Sequence, residues 1–357
     1  MSMKLIMFVL PNLSAGGAER VTLNFIRQLE PSSYKVDLVV FDKTPDLLSL
    51  VPSIAELTDL KTFKASRSLF RLYKTIRRLK PDFVYSSHSR VAVLLALIKL
   101  VDGNFRFIAR VPSMPSLERE QGYTKPVTAK LYAWAFKCAD AVLAQTVEMK
   151  DDVAAEYGVK AEKIMVASNP LDTRFINEKL KGVNSPFRSD EINIVASGRH
   201  SREKGFDILL EAFASVVSNI PNAKLTVLGR EGEQTSVLTG LVEKYSLQNS
   251  VTFTGFTDNP YLYYQYCDVF VLSSRWEGYP NALLENYYLN TPLVATQCVP
   301  VVARLVKNEV NGFAVPNDPQ PASLSDYIIK ALSLKRNDIK NELVASFDFN
   351  KLLESEI

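Results

Sequence analysis

The chain has 357 residues and a mass of 40.0 kDa, more than one ordinary core accommodates, so two domains are expected. It is 47% apolar and 23% charged, and its longest apolar run, VAVLLALI, is far too short to cross a bilayer. The net charge of +3 hides an asymmetry: residues 1–180 hold 26 basic and 19 acidic side chains, whereas the remainder holds 16 and 20.

The first predicted strand is KLIMFVL. A basic residue and an apolar run at the start suggest a signal peptide, but the run ends after about six residues and reads better as a strand. PNLSAGGAER (11–20) follows, and Gly16 and Gly17 open a helix near 17–30. Two glycines there mean that backbone approaches something closely or takes a positive φ. A dinucleotide fingerprint fails, because no G-x-G-x-x-G spacing exists at this turn. Strands at KVDLVVF, DFVYSS, RFIAR and AVLAQ complete the first half, with helices near 66–80, 90–101, 126–138 and 147–157.

The helix over 66–80 places Leu69, Leu72, Tyr73, Ile76 and Leu79 on one stripe, and residues 61–80 carry eight basic side chains and no acidic one. It reads either as a sheet-covering helix with solvated cations or as a surface for an anionic membrane. Nucleic acid is not expected, since the first domain offers no matching aromatic platform. The alternation pauses at 168–191, which is polar, has two prolines and lacks periodicity, and the hinge is placed there.

The second half repeats the pattern with strands at INIVASG, KLTVLG, VTFTG, VFVLSS, LVATQ and GFAVP. Helices near 204–219, 234–246, 281–290 and 321–334 separate them. Near-continuous apolar strands alternating with helices mean parallel sheets covered on both faces, so the fold class is α/β with two doubly wound domains. The expected division is 1–175, 176–340 and a C-terminal helix in 341–357 that packs back on the first domain. Ligands of such sheets sit at the carboxyl ends of the strands, here expected at a cleft between the domains.

Three motifs fall at such ends in the second domain. SGRHSREKG (197–205) offers Arg199 and Lys204 as two cations where a diphosphate would sit. VLGREGE (227–233) puts Gly229 and Gly232 at a strand-to-helix turn. SRWEGYPNALLE (274–285) is strand end, tight turn and helix start, with Glu277 and Glu285 eight apart around Gly278, Pro280, Asn281, Ala282 and Leu283. Taken singly, Glu285 is a first-turn acid complementing the helix dipole and Glu277 a loop solubiliser. Their coincidence at a strand terminus favours a ligand that carries both phosphates and sugars.

The last motif resembles the E-x7-E signature of retaining glycosyltransferases of family 4, which have the GT-B fold of two Rossmann-like domains facing a central cleft. GGAER, GRHSREKG, SNPLD and VNGFAVP are similar to further family hallmarks, in order. The resemblance implies that Gly16 and Gly17 let the first helix start approach the donor diphosphate and reacting sugar. It implies that Arg199 and Lys204 hold the diphosphate, that Glu277 binds donor-sugar hydroxyls with backbone 278–283 beside it, and that Glu285 accepts from the ribose. His88 in YSSHSR stands either near the acceptor or as a satisfied loop histidine, while His200 is expected to be structural or solvent-facing. Arg304 occupies the place of a usual family glutamate, a departure confined to local donor-loop contacts.

The implied donor is a nucleotide-diphosphate sugar, with UDP favoured, and the implied acceptor a lipid-linked or polysaccharide intermediate of bacterial lipopolysaccharide, capsule or O-antigen assembly. No metal or other cofactor is expected: there is no Asp-x-Asp motif, and two histidines without a His/Cys cluster make a transition-metal site improbable. Cys138, Cys267 and Cys298 form no CxxC pair and suit a reducing, cytoplasmic compartment. Rival classes are a nucleotide-sugar epimerase of the same architecture, an NAD-dependent oxidoreductase and an inert sugar-binding protein.

Overall fold

The structure is a computed structural model that describes residues 3–355 except 15, 44, 45, 63 and 343–346. The chain divides into two compact units, Met1–Pro170 with Ser346–Ile357, and Leu171–Ala345.

The first unit is built on seven strands: β1 (Lys4–Asn12), β2 (Tyr34–Asp42), β3 (Ala55–Asp59), β4 (Phe83–Ser86), β5 (Arg106–Arg110), β6 (Ala141–Ala144) and β7 (Ile164–Val166). They pair in parallel in the order β3-β2-β1-β4-β5-β6-β7. Ile6 to Leu10 of β1 are wholly buried, which explains an apolar run without alternation: helices cover both faces. The two strands that periodicity missed, β3 and β7, are the edge strands, short and only partly covered. Near the chain end, the Asp348 carboxylate accepts from the N–H groups of Asn350 and Lys351 and so starts the helix Phe349–Glu354. Phe349 is fully buried, with its ring 4.8 Å from Phe25 and 5.9 Å from Phe8.

The second unit has six parallel strands: β8 (Ile192–Ser197), β9 (Ala223–Leu228), β10 (Val251–Gly255), β11 (Val269–Leu272), β12 (Leu293–Thr296) and β13 (Gly312–Val315). Their order is β10-β9-β8-β11-β12-β13, with the reversal between β8 and β11. Phe206, Leu209, Leu210, Phe213 and Val216 of the helix Phe206–Asn219 repeat at helical spacing and fill the core against this sheet.

The division falls at 170/171 rather than 175/176. Residues 168–191 are also not featureless, because they contain the helix Thr173–Lys179, capped by the Asp172 carboxylate accepting from Phe175 N–H. Ile176 of that helix is buried in the second unit, and Phe175 meets the Tyr261 ring at 6.2 Å. Seven residues are too few for periodicity to register, yet their apolar side decides which unit owns them.

Candidate functional site

In the second unit, β8 ends at Ser197, and the chain runs through Arg199 and His200 to a single 3-10 turn, Arg202–Lys204. The Lys204 ammonium lies 2.6 Å from Glu277 Oε1, which is brought in by the loop after β11. The Ser274 hydroxyl donates to the same oxygen at 2.7 Å, and the Ser273 hydroxyl donates to the Lys204 carbonyl at 2.9 Å. Both partners of the ion pair are mostly covered, with side-chain exposures of 21% and 11%. Burial opposes the charge on Lys204, but the Glu277 carboxylate outweighs it and holds the ammonium above the usual lysine range. No hydrogen bond reaches Glu277 Oε2 among the described residues, so one carboxylate oxygen stays able to accept.

Arg199 does not join this pair. Its guanidinium is 62% exposed and turns to Glu203 at 3.3 Å. His200 is buried rather than solvent-facing: its Nδ1 lies 3.1 Å from the Thr235 hydroxyl, and its ring meets Phe253 at 4.9 Å. Gly229 has φ +138°, and a Cβ there would sit 2.0 Å from the Gly198 carbonyl oxygen, so glycine lets the third motif pack on the second.

Beyond Glu277, Gly278, Asn281 and Ala282 are half-buried at the start of the helix Asn281–Tyr288. Leu283 points wholly into the core, so only its backbone is available to a ligand. Glu285 is the fifth residue of this helix and not in its first turn, which removes the simple dipole explanation. It is buried, and the Tyr261 hydroxyl donates to its Oε1 at 3.4 Å. Arg304 is exposed on the short helix Val301–Leu305. Cys298 lies near the ion pair, but burial first and the Glu277 charge second push its thiol up to about 12, which leaves it unreactive.

In the first unit, Gly16 caps the helix Gly17–Gln28 with an extended backbone, so close approach rather than positive φ accounts for it. The Glu19 carboxylate folds back over the helix start, and a Cβ on Gly16 would lie 2.0 Å from its Oε2. Glu19 Oε1 is 3.2 Å from His88 Nε2, and His88 Nδ1 is 3.4 Å from the Ser87 hydroxyl. Ser87 in turn lies 3.1 Å from the Thr22 hydroxyl. Both imidazole nitrogens therefore have partners.

Sequence reasoning missed Ser273, Ser274, Tyr261 and Glu19. Only Glu19 had a local signal, its position three residues after the cap glycine, the spacing of a capping box. The others act from neighbouring strands and helices, where no fixed spacing announces them.

The helix Ala65–Leu79 turns Leu72 and Ile76 inward and Arg67, Phe70, Arg71, Lys74, Arg77 and Arg78 outward. Arg71 donates to the Lys61 carbonyl at 2.8 Å and Arg77 lies 3.4 Å from Asp102, while Lys74 sits 4.4 Å from the centre of the 57% exposed Phe70 ring. A cavity at the amino edge of the first sheet, lined by Lys4, Asp82, Lys99, Arg106 and Asp140 among others, contains none of the motif residues. Among the described residues, no group of three or more His, Cys, Asp or Glu is placed to hold a metal ion, and no helix is long and apolar enough to cross a membrane.

Residues 15–175 match the model of Glycosyltransferase Family 4, and residues 179–344 match Glycosyl transferases group 1. An uncharacterized glycosyltransferase of Methanocaldococcus jannaschii is 30% identical over 66% of this chain and 60% of its own length, so the match spans less than two thirds of that relative. The UDP-Gal:alpha-D-GlcNAc-diphosphoundecaprenol alpha-1,3-galactosyltransferase of Escherichia coli is 24% identical over 97% of this chain and 93% of its own. Among solved structures, HepE of Anabaena in complex with UDP and glucose superposes with a TM-score of 0.76 at 18% identity, covering 94% of this chain and 91% of that one. The chain belongs to the family 4 glycosyltransferases and has their GT-B fold.

Proposed function

We propose that this protein is a retaining transferase that moves a hexose or N-acetylhexosamine from a UDP-linked donor to a lipid-linked or polysaccharide acceptor in bacterial surface-glycan assembly. The observation that carries the reading is the mostly covered Lys204–Glu277 pair at the carboxyl edge of the second sheet. Lys204 has further N–H groups beyond the one given to Glu277, and these suit the oxygens of a diphosphate. Glu277 Oε2 suits a sugar hydroxyl, and Glu285 suits the ribose. Arg199, exposed enough at 62% to swing from Glu203, adds a second cation to the leaving group.

Breaking the sugar–phosphate bond leaves negative charge on the diphosphate and positive charge at the anomeric carbon. Lys204, Arg199 and the N–H groups of the helix start at Asn281–Leu283 stabilise the first. The reading therefore uses no metal, and the departing phosphate acts as base. Gly229 serves it by letting the third motif pack on the second, while Gly16, Gly17 and His88 are assigned to the acceptor-side unit. UDP as the donor nucleotide draws on the printed ligand of HepE and the name of the E. coli relative, which also supplies the diphospholipid class of acceptor.

The outward cations of Ala65–Leu79, with Phe70 among them, suit the anionic inner face of the cytoplasmic membrane, where such an acceptor would reside. The experiment is a thermal-shift screen of UDP-, GDP- and ADP-sugars against NAD(H), followed by transfer from the stabilising donor to a diphospholipid acceptor. A UDP-sugar should stabilise the fold and lose its sugar to the acceptor. Stabilisation by NAD(H) alone, or release of free sugar without transfer, would replace this reading with an oxidoreductase or an epimerase.

A further inference from the structure

Lys204 and Glu277 come from separate segments, one before the helix Phe206–Asn219 and one after β11. Their 2.6 Å contact needs something that fixes one segment against the other. Arg275, two residues before Glu277, meets that need at several points. Its guanidinium grips the Asp207 carboxylate with two bonds of 2.8 Å and donates to the Arg202 carbonyl at 3.1 Å. Its backbone N–H donates to the Glu203 carbonyl at 2.8 Å. Behind it, Asn317 Nδ2 donates to the Arg275 carbonyl at 3.0 Å, and Asp318 lies 3.3 Å from its Nε.

These bonds bracket Lys204 in sequence: Arg202 and Glu203 precede it and Asp207 follows it. The Arg275 side chain is 19% exposed and that of Asp207 37%, so the two-bond grip is covered on the arginine side and holds by its paired, charge-assisted geometry. The bonds from Asp207 first, against the opposing effect of burial, hold Arg275 above the usual arginine range. Arg275 points away from Glu277 in its bonding, since every contact named is to the scaffold and none is to the ion pair.

We propose that Arg275 is a positioning residue: its grip on Asp207 and the Arg202 carbonyl sets where Lys204 stands relative to Glu277, and so aligns the ammonium with the donor diphosphate. The proposal rests on the reading of Lys204 as the diphosphate ligand. It assigns the scaffold contact a function that burial and stability alone would not require.

The test uses the full chain and compares UDP with UMP by titration calorimetry, because UMP lacks the terminal phosphate. Arg275→Met should weaken UDP about tenfold while changing UMP affinity less than about twofold, the cost of a displaced rather than a deleted contact. In a Lys204→Ala background the same substitution should cause no further loss of UDP affinity, because coupled residues are not additive. Asp207→Asn, a milder change, should reproduce the UDP-selective loss in smaller degree and serves if Arg275→Met melts near the assay temperature. Equal losses for UDP and UMP, or a full additional loss in the Lys204→Ala background, would show that Arg275 only stabilises the fold. If the unmodified protein itself does not prefer UDP to UMP, the reading of Lys204 has failed instead, and the two failures are thereby distinguished.

Discussion

In each unit the first strand is followed by a glycine-containing turn and a helix, yet the two turns are electrostatic opposites. In the first, the helix start at Gly17 is served by the chain's own Glu19 carboxylate, which His88 holds at 3.2 Å. In the second, the turn before Phe206 carries the cations Arg199 and Lys204, and the acid that meets Lys204 comes from a distant loop. The first turn has thus spent its side chains on itself and offers backbone; the second keeps donor and acceptor capacity for a ligand. Equivalent topology does not mean equivalent chemistry, and substitutions should act through shape in one turn and through charge in the other.

The largest effect is expected at the second turn. Lys204→Ala removes a charge-assisted contact worth about 1.5–3 kcal/mol and also strands Glu277, so nucleotide affinity and turnover should fall together in calorimetry and rate assays. Unchanged values in both would take the charge out of the comparison. Next come the two glutamates. Glu285→Ala should weaken free UDP and the UDP-sugar alike, while Glu277→Ala should depress transfer by a larger factor than it weakens UDP, because it also removes the direct partner of Lys204. Equal loss of UDP affinity in both variants would erase their separate roles.

At the first turn, Gly16→Ala must displace the Glu19 carboxylate, because its Cβ would lie 2.0 Å from Oε2. A stability loss of roughly 1–3 kcal/mol is expected, and adding Glu19→Ala should recover part of it in chemical denaturation. A Gly16→Ala protein as stable as the parent would mean that the turn is not closed by its own acid. Replacing Arg71, Lys74, Arg77 and Arg78 by Gln should abolish salt-sensitive sedimentation with anionic vesicles while leaving UDP affinity unchanged. Sedimentation that survives the replacement would leave the helix as a solvated cover.

The smallest effect concerns His200 in the second turn. Burial lowers its affinity for a proton below the usual histidine value of 6.5. The unfolded chain therefore binds the proton first as pH falls below about 6.5, and stability present above that value is lost toward the lower folded value. The melting temperature should drop between about pH 7.5 and 5.5, and less so in His200→Gln. Parallel pH profiles of the two proteins would exclude His200 as the cause.

Much of this was legible in the sequence, and the reasons differ by element. The central strands declare themselves by uninterrupted apolar runs such as Ile6–Leu10, because both faces are covered. The edge strands β3 and β7 do not, being short and mixed. Lys204, Glu277 and Glu285 stood out because strand-to-helix turns give them fixed local context. Ser274 and Arg275 were passed over, since what they do depends on partners that folding brings from elsewhere, Glu277 and Asp207, whereas Glu19 carried a local signal in its spacing from Gly16 and only its contact with His88 was hidden.

The most direct measurement is a crystal structure of the protein with UDP. The account predicts the terminal phosphate within hydrogen-bond distance of the Lys204 ammonium, with the ribose hydroxyls on Glu285. A nucleotide bound elsewhere, or bound with Lys204 still engaged by Glu277 alone, would contradict it.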